Sequence, residues 1–123
     1  MTALNVRTSD RPDRIDIEVA GELDLATAPK LEEELQHVET MRPSLVVIDL
    51  RPLDFMDSSG LRCLLAADMR ARERGCRLVL IRGRERVQRV FGITRLDEQL
   101  EFVDGEDDAT LIGADQGRRS ARR

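Results

Sequence analysis

Alternation of apolar and polar positions marks the strands of this chain. Leu4 to Thr8 and Ile15 to Val19 alternate residue by residue, which predicts two strands with one buried face each. Gly21 is expected to end the second strand. The run from Leu45 to Leu50 is almost wholly apolar and rich in β-branched residues, which predicts a strand buried on both faces. Arg77 to Ile81 predicts another strand.

The first helix is predicted after Thr27, whose hydroxyl is expected to cap it, and Pro29 is tolerated in the first turn. The acidic run Glu32 to Glu34 is expected to face water, so we interpret it as a solvated surface rather than a metal site. The buried face of this helix is marked by an apolar stripe of Ala28, Leu31, Leu35 and Val38.

The second half of the chain predicts further helices. One begins at Asp57-Ser58-Ser59-Gly60 and runs to about Arg74, and a short one includes Val87, Val90 and Phe91. A last strand is expected near Leu100 to Val103, followed by a terminal helix over Asp107 to Ile112.

Strands that alternate with helices predict an α/β fold, in which crossover helices join parallel strands. We expect one domain with a mixed β-sheet of about five strands and about four helices, because the 123 residues suit a single domain. The domain is expected to span residues 1–113. Residues 114–123 hold four Arg and one Asp and are expected to form a disordered basic tail.

Charge and composition narrow the classes of function. Without its last ten residues the chain has 16 basic and 23 acidic residues, so the folded part is expected to repel nucleic-acid phosphates. No apolar run approaches the ~20 residues that span a bilayer, and the N-terminal segment is polar. We therefore expect a cytoplasmic protein that binds neither nucleic acid nor a membrane. Cys63 and Cys76 lack metal-ligand spacing and are interpreted as reduced apolar residues.

The segment from Asp54 to Leu61, DFMDSSGL, carries the candidate chemistry. It places two hydroxyls and a carboxylate at the start of a helix. In one interpretation Asp57 or Ser58 only caps the helix. In the other, a phosphate on Ser58 lies among free backbone N–H groups at the positive end of the helix dipole. Such a phosphate adds about −1.5 to −2 charges beside Asp54 and Asp57 and would repel an acidic partner.

Three spaced motifs resemble those of the bacterial STAS-domain anti-sigma factor antagonists. Leu45 to Leu65, LVVIDLRPLDFMDSSGLRCLL, resembles the family signature. Gly21-Glu22-Leu23-Asp24 and Val87 to Ile93 with Leu96-Asp97 match in the same order. The resemblance covers the chain from about Leu4 to Ile112, so it implies that the predicted domain is a single STAS domain.

The resemblance also implies how the site works. In that family the first serine of Asp-Ser-Ser-Gly is phosphorylated by the anti-sigma factor, an ATP-dependent serine kinase, and a phosphatase resets the cycle. On this chain that serine is Ser58. The unphosphorylated form is expected to bind the anti-sigma factor and release the sigma factor, with no catalytic residue, metal or cofactor of its own. Partner binding is expected at Asp24, Asp57, Ser59, Gly60, Leu61 and Arg62.

The second predicted helix is apolar around much of its front. This is more apolar surface than one buried face requires, so part of it is expected to contact the partner. The residues concerned are Leu61, Cys63, Leu64, Leu65, Ala66, Ala67 and Met69.

Other functions fit the sequence less well. A serine hydrolase needs a base beside its nucleophile, but Ser58 lacks the Gly-x-Ser-x-Gly elbow and the only histidine, His37, lies in an amphipathic helix. A two-component receiver would use Asp49 as phosphate acceptor and needs a late lysine, whereas the only lysine is Lys30. A STAS module that is never phosphorylated, and docks on a transporter or a lipid-export ATPase, remains the alternative.

Overall fold

The computed structural model describes residues 3–110, apart from the side chain of residue 97. The elements in chain order are β1 (Leu4–Asp10), β2 (Ile15–Leu23), α1 (Ala28–Glu39), β3 (Leu45–Asp49), β4 (Leu53–Met56), α2 (Ser58–Glu73), β5 (Arg77–Ile81), α3 (Glu85–Ile93), a 3-10 turn (Leu96–Glu98) and β6 (Glu101–Val103). Residues 106–110 are helical, which agrees with the start of the predicted terminal helix. The rest of that helix and the predicted basic tail lie outside the described residues.

The strands form one mixed sheet in the order β1-β2-β3-β5-β6, with β4 beside β2 beyond the end of β3. β1 is antiparallel to β2, and every other pairing is parallel. The predicted α/β fold is confirmed. The sixth strand, β4, was not predicted, because its four residues are buried only at the two ends and show no alternation.

The prediction that Gly21 ends its strand is wrong, because β2 continues to Leu23. Gly21 has a φ of +100°, and a Cβ there would lie 2.3 Å from the carbonyl oxygen of Ala3. Glycine therefore suits both the backbone angle and the close approach. β2 pairs with β3 before this point and with β4 from it onward, so Gly21 marks the change of partner.

The sheet is covered on both faces. Helices α1, α2 and α3 pack on one face, where Val46 and Ile48 of β3 belong to the main core. Leu45 and Val47 point to the other face and pack with Ala109 of the terminal helical segment. The prediction that β3 is buried on both faces is therefore confirmed.

The turn before α1 is organised by Asp24 rather than by Thr27. Oδ1 of Asp24 accepts hydrogen bonds from the backbone N–H groups of Ala26 and Thr27, each at 3.0 Å. Thr27 occupies the N-cap position but its hydroxyl donates to the carbonyl oxygen of Glu22 at 2.7 Å. The predicted side-chain cap is therefore wrong, because the hydroxyl joins the turn to the end of β2 instead.

The sequence predicted that the acidic run in α1 faces water. The structure corrects this prediction for two of its three residues. Only Glu33 is exposed. Glu34 accepts a hydrogen bond from the hydroxyl of Thr8 at 3.0 Å, and Glu32 lies 2.9 Å from a guanidinium nitrogen of Arg70. These contacts tie α1 to β1 and to α2. Within residues 3–110, no group of three or more His, Cys, Asp or Glu side chains is placed to hold a metal ion.

Candidate partner-binding and phosphorylation site

The ends of β2 and β4 lie side by side and position the site. Leu23 pairs with Met56 in parallel register, and the backbone N–H of Asp57 donates to the carbonyl oxygen of Leu23 at 3.1 Å. Asp24 follows one strand and Asp57 the other. The turn before α1 and the start of α2 therefore lie at the same edge of the sheet, as expected for the carboxyl ends of parallel strands.

Asp57 caps α2, which decides between the two capping residues that the sequence left open. Its backbone is extended, with φ −115° and ψ −170°, and its Oδ1 accepts from the N–H of Ser59 at 2.8 Å and of Gly60 at 3.4 Å. These two N–H groups are not free, so the expectation that a phosphate on Ser58 would lie among free donors is wrong for them. Their acceptor is already a carboxylate.

Ser58 is the first residue of α2 and its side chain is exposed. Within the part of the chain that the structure describes, its hydroxyl has no hydrogen-bond partner. The hydroxyl is therefore not needed for the helix start and is accessible to another protein. Ser59, the next residue, is half-buried.

Gly60 brings the start of α2 against the ends of the two strands. A Cβ at this position would lie 2.6 Å from Cγ of Leu23 and 2.8 Å from Cγ of Met56. Real Cβ atoms do not approach other atoms so closely, so a larger residue would push α2 away from the sheet. Glycine at this position therefore lets the start of α2 lie directly against the ends of β2 and β4.

The remaining partner-binding predictions differ in where their side chains lie. Arg62 is exposed, and no ion pair involves it among the described residues. Asp24, Asp57 and Ser59 are half-buried. Leu61 is only 4% exposed and belongs to the core. This burial corrects the expectation for Leu61, whose side chain stabilises the domain instead of lining its surface.

Most of the apolar front of α2 is also core. Cys63, Leu64 and Ala67 are buried, whereas Met69 is 63% exposed. The expected apolar contact surface is therefore much smaller on this helix, because two faces of α2 pack, one on the sheet and one on α1.

Two exposed apolar residues beside the site were missed. Leu25, in the turn after Asp24, is 77% exposed, and Phe55 of β4 is 45% exposed. The sequence did give a signal for Leu25, which lies outside the apolar stripe of α1. The sequence gave no signal for the exposure of Phe55, because β4 has a bulge. Leu53 pairs with Gly21 and Phe55 pairs with Glu22, so Asp54 has no partner on β2.

The electrostatic surroundings of Ser58 are mixed. Asp54 forms an ion pair with Arg84 at the start of α3, and both side chains are about half exposed. Asp24 and Asp57 accept backbone hydrogen bonds. Arg62 follows Ser58 by one helical turn, so a charge added at Ser58 would be its neighbour on the helix surface.

The two cysteines are poor nucleophiles in this fold. Burial, and then a hydrogen bond that the thiol donates to Glu32 at 3.3 Å, raise the pKa of Cys63 to about 12. Burial raises the pKa of Cys76 to about 11. Both thiols are therefore protonated at neutral pH, in agreement with their interpretation as reduced apolar residues.

The structure gives no support to a serine hydrolase or to a two-component receiver. His37 is exposed on α1, away from the start of α2. Asp49 is held by Arg51, whose guanidinium donates to both carboxylate oxygens at 2.8 and 2.9 Å. No helix within the described residues is long and apolar enough to cross a membrane.

Comparison with known proteins identifies the family of this domain. A family model described as "Mlab, STAS domain" matches residues 6–104. This chain belongs to the STAS domain family. The resemblance noted in its motifs is therefore confirmed.

Relatives of this STAS domain are anti-sigma factor antagonists. The anti-sigma-B factor antagonist of Listeria monocytogenes is 41% identical over 96 residues, which are 76% of this chain and 84% of the relative. That of Staphylococcus epidermidis is 30% identical over 102 residues, or 83% of this chain and 94% of the relative. An anti-sigma factor antagonist from Mycobacterium paratuberculosis has a crystal structure that matches with a TM-score of 0.80 and 28% identity, over 91% of this chain and 95% of that one.

Proposed function

We propose that this STAS domain is an anti-sigma factor antagonist that is switched by phosphorylation of Ser58. With the serine free, it binds an anti-sigma factor that is itself a serine kinase, and the sigma factor is released. Phosphorylation by that kinase ends the binding, and a phosphatase restores it. The domain acts in the cytoplasm as a substrate and binding partner, and the nucleotide belongs to the kinase.

The proposal rests on the different roles of Asp57 and Ser58 at the start of α2. Asp57 caps α2, whereas the hydroxyl of Ser58 is exposed and unbonded to any residue that the structure describes. A kinase can therefore modify Ser58 without removing a cap. The fold is therefore expected to be the same with and without a phosphate on Ser58.

The phosphate would disturb the surface rather than the fold. Because Asp57 occupies the N–H groups of Ser59 and Gly60, the phosphate would project from the helix start instead of being enclosed by it. It would also lie one turn before Arg62, at a spacing where opposite charges pair on a helix. The phosphate would thus add negative charge to the binding surface and withdraw the charge of Arg62 from the partner.

The size of the switch requires that Ser58 lies inside the contact. Turning a 99:1 bound population into 1:99 takes about 5.5 kcal/mol of differential affinity. A phosphate against one exposed carboxylate supplies up to ~1 kcal/mol. Burying the phosphate in an interface costs several kcal/mol more, on the order of 2–5, because Arg62 offsets only part of its charge of about −1.5 to −2. We therefore place Ser58 within the partner-covered surface, with Leu25 and Phe55 as its apolar neighbours.

The kinase reaction tests the proposal. The wild-type chain, Ser58→Ala and Ser59→Ala are each incubated with the cognate anti-sigma factor and ATP, and intact-mass and fragment spectra are recorded. One phosphate is expected on the wild type and on Ser59→Ala, and none on Ser58→Ala. A phosphate on Ser59, or none on either serine, would contradict the proposal, and the second result would favour a docking module that is never phosphorylated.

A further inference from the structure

A cleft lies at the opposite end of the parallel strands from Ser58. Its volume is about 630 Å³, and it opens between the C-terminal halves of α1 and α2, over the first residues of β3 and β5. Its apolar wall is formed by Leu35, Val38, Val46, Ala67, Ala71 and Leu78. A volume of this size falls within the roughly 300–1,000 Å³ of small-molecule sites.

An ion-pair bridge joins the two helices that line this cleft. Arg70 of α2 bridges two carboxylates of α1, with nitrogen–oxygen distances of 2.9 Å to Glu32 and 2.7 Å to Glu39. Below the bridge, α2 presents only the small side chains of Ala67 and Ala71. Larger side chains at these two positions would occupy the space between the helices, which the cleft takes up instead.

The mouth of the cleft carries net positive charge in a chain whose net charge is −4. Glu39 is offset by Arg70 at 2.7 Å and by Arg74 at 4.0 Å. Arg42, also at the mouth, is exposed and has no ion pair among the residues that the structure describes. Its φ of +50° lies in the left-handed region, which is unfavourable for a residue other than glycine.

We propose that this cleft binds a medium-chain alkyl carboxylate, with the alkyl chain between α1 and α2 and the carboxylate at Arg42. The apolar wall selects the chain, and the unpaired guanidinium at the mouth selects the anionic head. Cys76 lines the cleft with a thiol that stays protonated, so it adds no charge to the wall. The proposal is independent of the phosphorylation of Ser58.

This site is tested by titrating the full chain with decanoate. Binding is measured by calorimetry and by the methyl NMR shifts of the lining residues. Decanol has the chain without the charge, and acetate has the charge without the chain. Decanoate is expected to shift the methyl signals of Leu35, Val46 and Leu78. Decanol is expected to bind ~10-fold more weakly, since a charge-assisted hydrogen bond is lost, and acetate is expected not to bind.

Two variants separate the chain site from the head site. Ala71→Leu fills the cleft and is expected to abolish decanoate binding. Arg42→Gly suits the left-handed backbone and is expected to weaken decanoate ~10-fold while leaving decanol unchanged. If Ala71→Leu does not fold, the smaller Ala67→Val replaces it. The proposal would be overturned if decanoate does not bind the wild-type chain or shifts the signals of residues elsewhere. It would also be overturned if both variants bind decanoate as tightly as the wild type does.

Discussion

The backbone N–H of Asp57 donates a hydrogen bond to the carbonyl oxygen of Leu23 at 3.1 Å. This bond joins the ends of two parallel strands, in which Leu23 pairs with Met56, 33 residues later in the sequence. It brings the turn at Asp24 beside the start of α2. The surface around Ser58 is therefore assembled from separate segments and depends on the sheet.

The cap predicts different stabilities for two adjacent variants. Asp57→Ala removes the acceptor of two backbone N–H groups and is expected to lower the free energy of unfolding by about 1 kcal/mol. Ser58→Ala removes no hydrogen bond of the described chain and is expected to change it by less than ~0.5 kcal/mol. Urea unfolding measures both. The opposite order of stabilities would show that Ser58 is the structural residue.

The contact of Gly60 with the strand ends predicts a second pair. Gly60→Ala places a Cβ 2.6 Å from Leu23 and is expected to destabilise the domain by ~1–3 kcal/mol. Gly92→Ala is the matched control, because Gly92 lies in α3 and nothing lies within 4 Å of a Cβ built there. That variant is expected to be neutral or more stable by up to about 1 kcal/mol. Equal melting temperatures for the two variants would contradict the close approach of α2.

Sequence patterns predicted the elements of the fold well where burial has a simple period. β5 has the predicted bounds, and β3 was recognised because its residues are apolar on both faces. β4 was missed because a bulge at Asp54 removes its alternation, and β2 was shortened because Gly21 serves a change of partner instead of a turn. These errors concern pairings between distant segments, which a local pattern does not contain.

The candidate site was predicted in position but not in detail. The motif placed Ser58 at the start of a helix, and the structure agrees. Which residue caps the helix depends on the backbone angles of Asp57, and the burial of Leu61 depends on how α2 packs on the sheet. The cleft near Arg42 had no signal in the sequence, because its walls come from four different elements.

Arg62 tests the extent of the partner surface. Because Arg62 is exposed and has no ion pair among the described residues, Arg62→Glu is expected to leave the melting temperature unchanged. It is expected to weaken binding of the anti-sigma factor by ~10-fold or more, through loss and reversal of one interface charge. Arg7→Glu on β1 is the control, since Arg7 is also exposed but lies on an edge strand away from α2. Equal affinities for both variants would move the interface elsewhere.

Alkaline pH is expected to destabilise the domain through Cys63. Burial and Glu32 raise the pKa of its thiol from 9.0 to about 12 in the folded state, so the unfolded state loses its proton first. The stability is complete below about pH 9 and is lost as the pH rises toward the folded value, with a loss on the order of 1 kcal/mol by about pH 10. Cys76, whose pKa burial raises to about 11, is expected to add a second loss of the same sign, and the chain has no tyrosine.

Urea unfolding at two pH values on either side of the thiol pKa of the unfolded chain measures this effect. Cys63→Ala is expected to be less stable at neutral pH, because a buried side chain is shortened, but to lose less stability on going to alkaline pH. An equal alkaline loss in the variant and the wild type would show that the Cys63 thiol is not protected by its burial.

The switch at Ser58 is measured by the affinity of the anti-sigma factor for this domain, determined by calorimetry with and without a phosphate on Ser58. Phosphorylation is expected to weaken binding ~100-fold or more, and Ser58→Asp is expected to reproduce only part of that loss, since it adds one charge and less bulk. Backbone amide shifts on phosphorylation are expected to cluster around residues 21–24 and 54–65. An unchanged affinity, or amide shifts spread across the whole sheet, would contradict a switch that acts at the binding surface.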